Sequence, residues 1–199
     1  DALNDYDPHS ELSKFSASSP HEEPVDVSDD LWTVMQASAK YHQVSDGTFD
    51  VTVGPLTTLW RSVRRAKQLP EEEELQDALE AVGFDNVQFG SPDEQAIALR
   101  RPNMRIDLGG IAKGFAVDEA LSALGKNHVT SALVNGGGDI AASAAPPGRD
   151  GWKIGVAPLA RDARPSLFLL IKNQAVATSG DTWQFVEIEG VRYSNIVNP

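Results

Sequence analysis

Near the middle of the chain, Asp107-Leu-Gly-Gly-Ile-Ala-Lys-Gly114 places a carboxylate, a cation and three glycines where an apolar run gives way to a helical one. Paired glycines at a helix start let a ligand approach the main chain, and the free N–H groups and helix dipole there favour an anion such as a pyrophosphate. Lys113 has the charge to neutralise a phosphate or to hold a carboxylate. The run is not a Walker A loop, since no Ser or Thr follows Lys113, nor is it a G-x-G-x-x-G turn. A tight strand-to-helix turn would use the same glycines for backbone reasons alone, so this motif leaves both readings open.

Asn135-Gly-Gly-Gly-Asp139 is a second glycine-rich turn, either a nest for an anion or a sharp β-turn, and taken singly the β-turn is the better reading. Thr178-Ser179-Gly180-Asp181 offers hydroxyls that reach a phosphate or ribose in the right fold. Asp46, Asp50 and Asp107 lie beside glycines as candidate acid, base or metal groups, and a hard cation such as Mg²⁺ accepts carboxylate and carbonyl oxygens together with phosphates. Each of them also suits a turn cap. His9, His21, His42 and His128 have no metal spacing and are expected on the surface or packed on helices. The chain has no cysteine, which excludes disulfides, thiolate metal sites and a Cys nucleophile.

The elements that must position these groups are readable in part. Ser28 is an expected N-cap, with Asp29 and Asp30 in the first turn of a helix ending near Val44, ahead of the Asp46-Gly47 turn. Leu31, Met35, Ala39 and His42 mark one face of it. A second helix is expected over Glu71 to Val82, and a hairpin over Val87 to Phe89 and Ala96 to Leu99, turning at Ser91-Pro92-Asp93. Met104 to Leu108 reads as a short strand feeding a helix from Ile111 to Leu124 that Gly125 would close. Residues 1–27 read as extended and loop-rich. Seven short strands follow: Ala132 to Asn135, Ile140 to Ser143, Trp152 to Val156, Leu167 to Ile171, Ala175 to Ala177, Phe185 to Ile188 and Val191 to Tyr193, the last pair joined at Glu189-Gly190. Helices beside many mainly antiparallel strands make an α+β fold.

With 199 residues, 41% hydrophobic and 23% charged, the chain has the makings of one large domain or two small lobes. Its net charge of -12 makes nucleic acid and anionic membrane unsuitable partners, because phosphate would be repelled. No apolar run approaches the roughly 20 residues of a membrane span.

Taken in order, Tyr6-Asp-Pro-His-Ser-Glu-Leu-Ser-Lys-Phe15, Asp46-Gly-Thr-Phe-Asp-Val-Thr-Val-Gly-Pro-Leu56 with Leu59-Trp60, Asp107 to Gly114, Asn135 to Asp139, Ala177-Thr-Ser-Gly180 and Tyr193-Ser-Asn-Ile-Val-Asn-Pro199 resemble the FAD:protein FMN transferase (ApbE-like) family across the whole chain. The resemblance implies an α+β, T-fold-related architecture of mixed, mainly antiparallel sheets with packed helices. It implies a single ApbE-like domain over 1–199 that lacks the family's N-terminal strand and helix and its C-terminal segment, the latter supplying Asp and Thr side chains of the metal site. The activity it implies is Mg²⁺-dependent transfer of FMN from FAD to a Thr or Ser hydroxyl of an acceptor protein with release of AMP, or hydrolysis of FAD to FMN and AMP. The alternative is a homologue that only binds flavin nucleotide or a partner protein. The location implied is extracytoplasmic, periplasmic or membrane-anchored, with any lipid anchor outside this segment.

Carried over by motif, Tyr6, Thr48, Phe49, Asp50, Asp107, Lys113 and Ile196 fall at FAD-contacting positions, and Gly110 falls where a main-chain oxygen helps bind Mg²⁺. Asn195 stands where the family has the His that is its candidate general base. Asn198 replaces an Asp, Ser16 an Asn and Trp183 a common Arg.

Overall fold

The computed structural model describes residues 2–91, 93–158, 164–180 and 184–199. The chain divides into two compact units, residues 1–111 with 183–199 and residues 112–182.

In the first unit, helix α1 (Glu11–Ala17) forms inside the stretch expected to be extended. Ser10 caps it by accepting the Ser13 N–H at 3.0 Å, and Leu12 and Phe15, three residues apart, bury the same face. Strand β1 (Val25–Asp26) leads to α2 (Asp29–Val44), whose N-cap is Ser28 as expected. The Ser28 hydroxyl also donates to Glu11, so the capping residue of one helix is held by the first residue of another.

Gly54 and Pro55 then open α3 (Gly54–Ala66), a helix absent from the sequence reading. Proline with its fixed φ suits a first turn, where its missing N–H costs nothing. Lys67, in the left-handed region, ends it. Helix α4 (Glu72–Glu80) carries a capping box between Glu71 and Glu74. Strands β2 (Val87–Phe89) and β3 (Ala96–Leu99) form the expected hairpin, and β1 joins them in the antiparallel order β1-β3-β2. Pro92, at the expected turn, lies outside the described residues.

Residues 104–108 alternate as a strand should, with Met104, Ile106 and Leu108 buried, yet they form a single parallel bridge, Val53 to Arg105, instead of a ladder. The approach is so close that a Cβ on Gly54 would lie 2.4 Å from the Arg105 carbonyl oxygen. Leu12, Leu31, Met35, Ile97, Leu99, Met104, Ile106 and Leu108 are the fully buried centre of this unit.

The second unit opens with α5 (Ala112–Lys126). The expected stop at Gly125 is overrun: His128, at φ 64°, takes the left-handed position, and its N–H and that of Val129 bond back to Gly125 and Leu124. Strands β4 (Leu133–Gly136), β5 (Asp139–Ala142), β6 (Trp152–Gly155), β7 (Phe168–Ile171) and β8 (Gln174–Val176) follow within a residue or two of expectation. They pair antiparallel as β4-β5-β8 and β6-β7. A Cβ on Gly136 would come 2.7 Å from Val117 Cγ2, so α5 lies directly on β4.

The chain returns to the first unit as the hairpin β9 (Phe185–Ile188) and β10 (Val191–Ser194). Its turn, Glu189-Gly190, has positive φ at both residues, 51° and 78°, as a two-residue type I′ turn requires. The architecture is α+β with antiparallel sheets, as the sequence indicates.

Candidate functional site

Within the first unit, Asp107 leaves the buried 104–108 stretch with its N–H bonded to Val51 O at 2.8 Å. Its carboxylate is fully engaged. The Gly109 N–H donates to Oδ1 at 2.8 Å, while the Thr57 hydroxyl at 2.6 Å and Arg61 Nη2 at 3.1 Å donate to Oδ2. Thr57 and Arg61 are one turn apart on α3, so they face the same way.

Arg61 also donates to Asp5 Oδ2 at 2.5 Å, and its guanidinium carbon lies 4.2 Å from the centroid of the Tyr6 ring. Burial opposes the Arg61 charge, but the hydrogen bond to Asp5 and the charges of Asp5 and Asp107 outweigh it and raise its pKa. The Tyr6 ring is thus held by a fixed cation while 74% of its surface stays open. An aromatic ring so pinned is a stacking platform for another flat ring.

A second cluster in this unit is built on the Asp46-Gly47 turn, where both residues have positive φ. Asp50 Oδ1 accepts the Thr52 N–H and hydroxyl, each at 2.7 Å, and the Thr52 oxygen accepts the Gly83 N–H at 2.9 Å. The Asp50 side chain is only 4% exposed. Phe49 packs edge-on to Tyr41 and lies so near Gly110 that a Cβ there would be 3.3 Å from the ring. Thr48 and Asp50 line an open cavity of about 410 Å³ together with His42, Phe84, Asp85 and Asn198.

The C-terminal block is tied to α3 by Trp60, whose Nε1 donates to the Ser194 carbonyl at 2.7 Å and whose ring meets Tyr193 edge-on. Ile196 is 60% exposed. Asn195 Nδ2 donates to Gln184 Oε1 at 3.2 Å, and Asn195 Oδ1 is buried with no partner among the described residues. A neutral amide cannot take up a proton, so Asn195 cannot serve as a general base.

In the second unit, Lys113 Nζ lies 2.9 Å from Asp139 Oδ2, so of its two expected uses it serves the carboxylate. Gly136 pairs with Asp139 across Gly137 and Gly138, at φ 68° and 103°, and the Gly138 N–H is taken by Asn135 Oδ1. Asn135 to Asp139 is therefore a tight hairpin turn. Asp181 and Trp183 lie outside the described residues.

Gly109 and Gly110 are exposed, with the Gly110 main chain open to a ligand. No group of three or more His, Cys, Asp or Glu that could hold a metal ion occurs among the described residues. With one candidate oxygen, that of Gly110, these residues do not by themselves fit a divalent cation.

His21 packs on a helix, as expected: it is 8% exposed, stacks on Phe15 of α1 and accepts the Leu99 N–H at Nδ1. The expectation of an extended, loop-rich start is corrected. Residues 1–27 supply structure, with the buried Ser16 hydroxyl accepting the Ile106 N–H at 3.1 Å. Sequence reasoning missed Asp5, Thr57 and Arg61. The Thr57–Arg61 spacing would have exposed the latter two once α3 was recognised.

The sequence model of the ApbE family matches residues 1–199. The FAD:protein FMN transferase of Vibrio cholerae serotype O1 is 32% identical over 205 residues, covering 100% of this chain and 59% of its own length. That of Haemophilus influenzae is 28% identical over 202 residues, covering 99% and 58%. Among solved structures, the ApbE protein of Thermotoga maritima superposes with a TM-score of 0.85 at 32% identity, over 100% of this chain and 63% of that one. The flavin transferase ApbE of Vibrio cholerae gives 0.85 at 30%, over 100% and 62%. The chain spans about three fifths of the length of these curated relatives.

Proposed function

Because the chain belongs to the ApbE family, we propose that it carries flavin-nucleotide-binding residues of a transferase that moves FMN from FAD to a Thr or Ser hydroxyl of a partner protein, releasing AMP. The observation that carries this reading is the relay in the first unit: Tyr6, open on its outer side, rests on Arg61, and Arg61 is anchored by Asp107, which also fixes the turn into exposed Gly109 and Gly110. An aromatic platform and an accessible glycine turn sharing one cation suit a molecule with a flat ring system and a diphosphate.

Phosphoryl transfer depends on positioning and on stabilising charge more than on a protein nucleophile. Tyr6 stacks a ring of FAD, Thr48 and Asp50 shape the cavity wall, and the exposed main chain at Gly110 lies open to phosphate oxygens. Mg²⁺ enters the proposal through family membership alone: it would neutralise charge at the diphosphate, and of the residues described only the Gly110 main-chain oxygen is offered to it. Location outside the cytoplasm and a lipid anchor beyond this segment belong to it on the same ground.

A second reading, a homologue that binds FAD without transferring FMN, is favoured by one observation, the amide at Asn195. Titration of the full-length protein with FAD, read by flavin fluorescence, tests the shared part: saturable quenching is expected, and none at high nucleotide concentration would sink both. AMP release with a Thr-bearing acceptor then separates them. Tyr6→Ala is expected to raise the Kd roughly tenfold or more, as loss of one stacking platform does.

A further inference from the structure

We propose that His42, on α2, is the general base that deprotonates the acceptor hydroxyl, an inference that rests on the transferase reading above. A hydroxyl that attacks phosphorus must lose a proton, and Asn195 cannot accept one. His42 is built for the task. Its Nδ1 lies 3.0 Å from the Phe49 carbonyl oxygen. A carbonyl only accepts, so Nδ1 carries the hydrogen of the neutral ring and Nε2 keeps its lone pair. Nε2 has no hydrogen-bond partner among the described residues, and the ring lines the 410 Å³ cavity beside Thr48 and Asp50.

The surroundings suit an imidazolium formed in the reaction. Asp50 Oδ2 lies 3.8 Å from Nδ1, and the other Asp50 oxygen is locked by Thr52, so this carboxylate is a fixed, nearly buried charge behind the ring. Asp46 and Asp85 contribute further carboxylates to the cavity wall, and among the described residues no Lys or Arg lines it. Phe84 stacks on the ring at 4.6 Å between centroids and holds its plane. A base oriented through one nitrogen, with a carboxylate behind it, its second nitrogen unpartnered among the described residues and its ring on a cavity wall, is the arrangement general-base catalysis needs.

The step balances. The acceptor oxygen forms a bond to the FMN phosphorus, the bond from that phosphorus to the bridging oxygen breaks, and AMP leaves with the electron pair. The hydroxyl proton passes to His42 Nε2.

The test uses full-length protein, FAD and a Thr-bearing acceptor, with FAD binding and FMN transfer measured separately. In His42→Ala the transfer rate should fall by about 10² to 10⁴, the usual weight of a general base. FAD affinity should stay within a few-fold, and added imidazole should restore part of the rate. His42→Gln, which keeps a donor for the Phe49 carbonyl, should fold with an unchanged Tm and remain slow. Transfer by either folded variant at the wild-type rate would overturn the proposal. So would loss of the rate in Asn195→Ala but not in His42→Ala. A wild-type protein that binds FAD and transfers nothing would defeat the transferase reading and the proposal with it, whereas active wild-type with active His42→Ala defeats the proposal alone.

Discussion

Arg61 shows how one side chain joins separate sequence blocks. It touches Asp5, Tyr6 and Asp107, so removing it frees the ring and leaves two carboxylates near each other without their cation. Arg61→Ala should weaken FAD binding by roughly tenfold, because the Tyr6 ring loses the cation that fixes it, a contact worth about 1 kcal/mol at a partly open site. Arg61→Lys should recover little, since one ammonium cannot span both carboxylates and the ring face. Fluorescence titration checks both.

His21 makes a different residue-scale claim, about pH. Burial, then the charge of Arg100, lowers its pKa, and the Leu99 N–H pointing at Nδ1 requires that nitrogen unprotonated. The unfolded chain therefore takes up the proton first. The stability is fully present above the unfolded value of about 6.5 and is lost as pH falls below it toward the folded value. Urea midpoints at about pH 7.5 and pH 5.5 should show the drop, and His21→Gln should flatten it.

At the scale of elements, the telling contact is between the start of α3 and the 104–108 stretch. Gly54 is there because no Cβ fits: it would meet the Arg105 carbonyl oxygen at 2.4 Å and its carbon at 2.6 Å. Gly54→Ala must push the two backbones apart, disturbing the lines that set Asp50 and Asp107. A loss of about 3 kcal/mol or more is expected, seen as a lower urea midpoint at unchanged slope. Helices α2, α4 and α5 were legible from caps and from Gly and Pro punctuation, as were nearly all the strands. Helices α1 and α3 were not. The first is a single turn pair buried by Leu12 and Phe15 amid polar residues, and the second hides behind a Gly-Pro pair that reads equally as a turn.

For the whole molecule, the net charge of -12 sets the long-range field. FAD is itself an anion, so association should be slowed by repulsion that salt screens. Raising ionic strength from about 0.01 to about 0.15 M, which shortens the screening length from about 30 to about 8 Å, should speed FAD association in stopped-flow measurements. A rate that falls with salt would mean that local cations, Arg61 foremost, govern the approach.

The amino-acid sequence alone determined the α+β class, the family and the glycine turns, because caps, turns and short apolar runs are local properties carried by neighbouring residues. It favoured the hairpin turn at Asn135 to Asp139 without excluding the nest, and it could not choose between phosphate and carboxylate for Lys113, since that depends on partners far along the chain. Only the tertiary structure brought Asp5, Arg61 and Asp107 to one point and turned His42 toward Phe49 and Asp50. Such meetings arise from packing, where a residue's role is set by whichever distant groups burial places beside it.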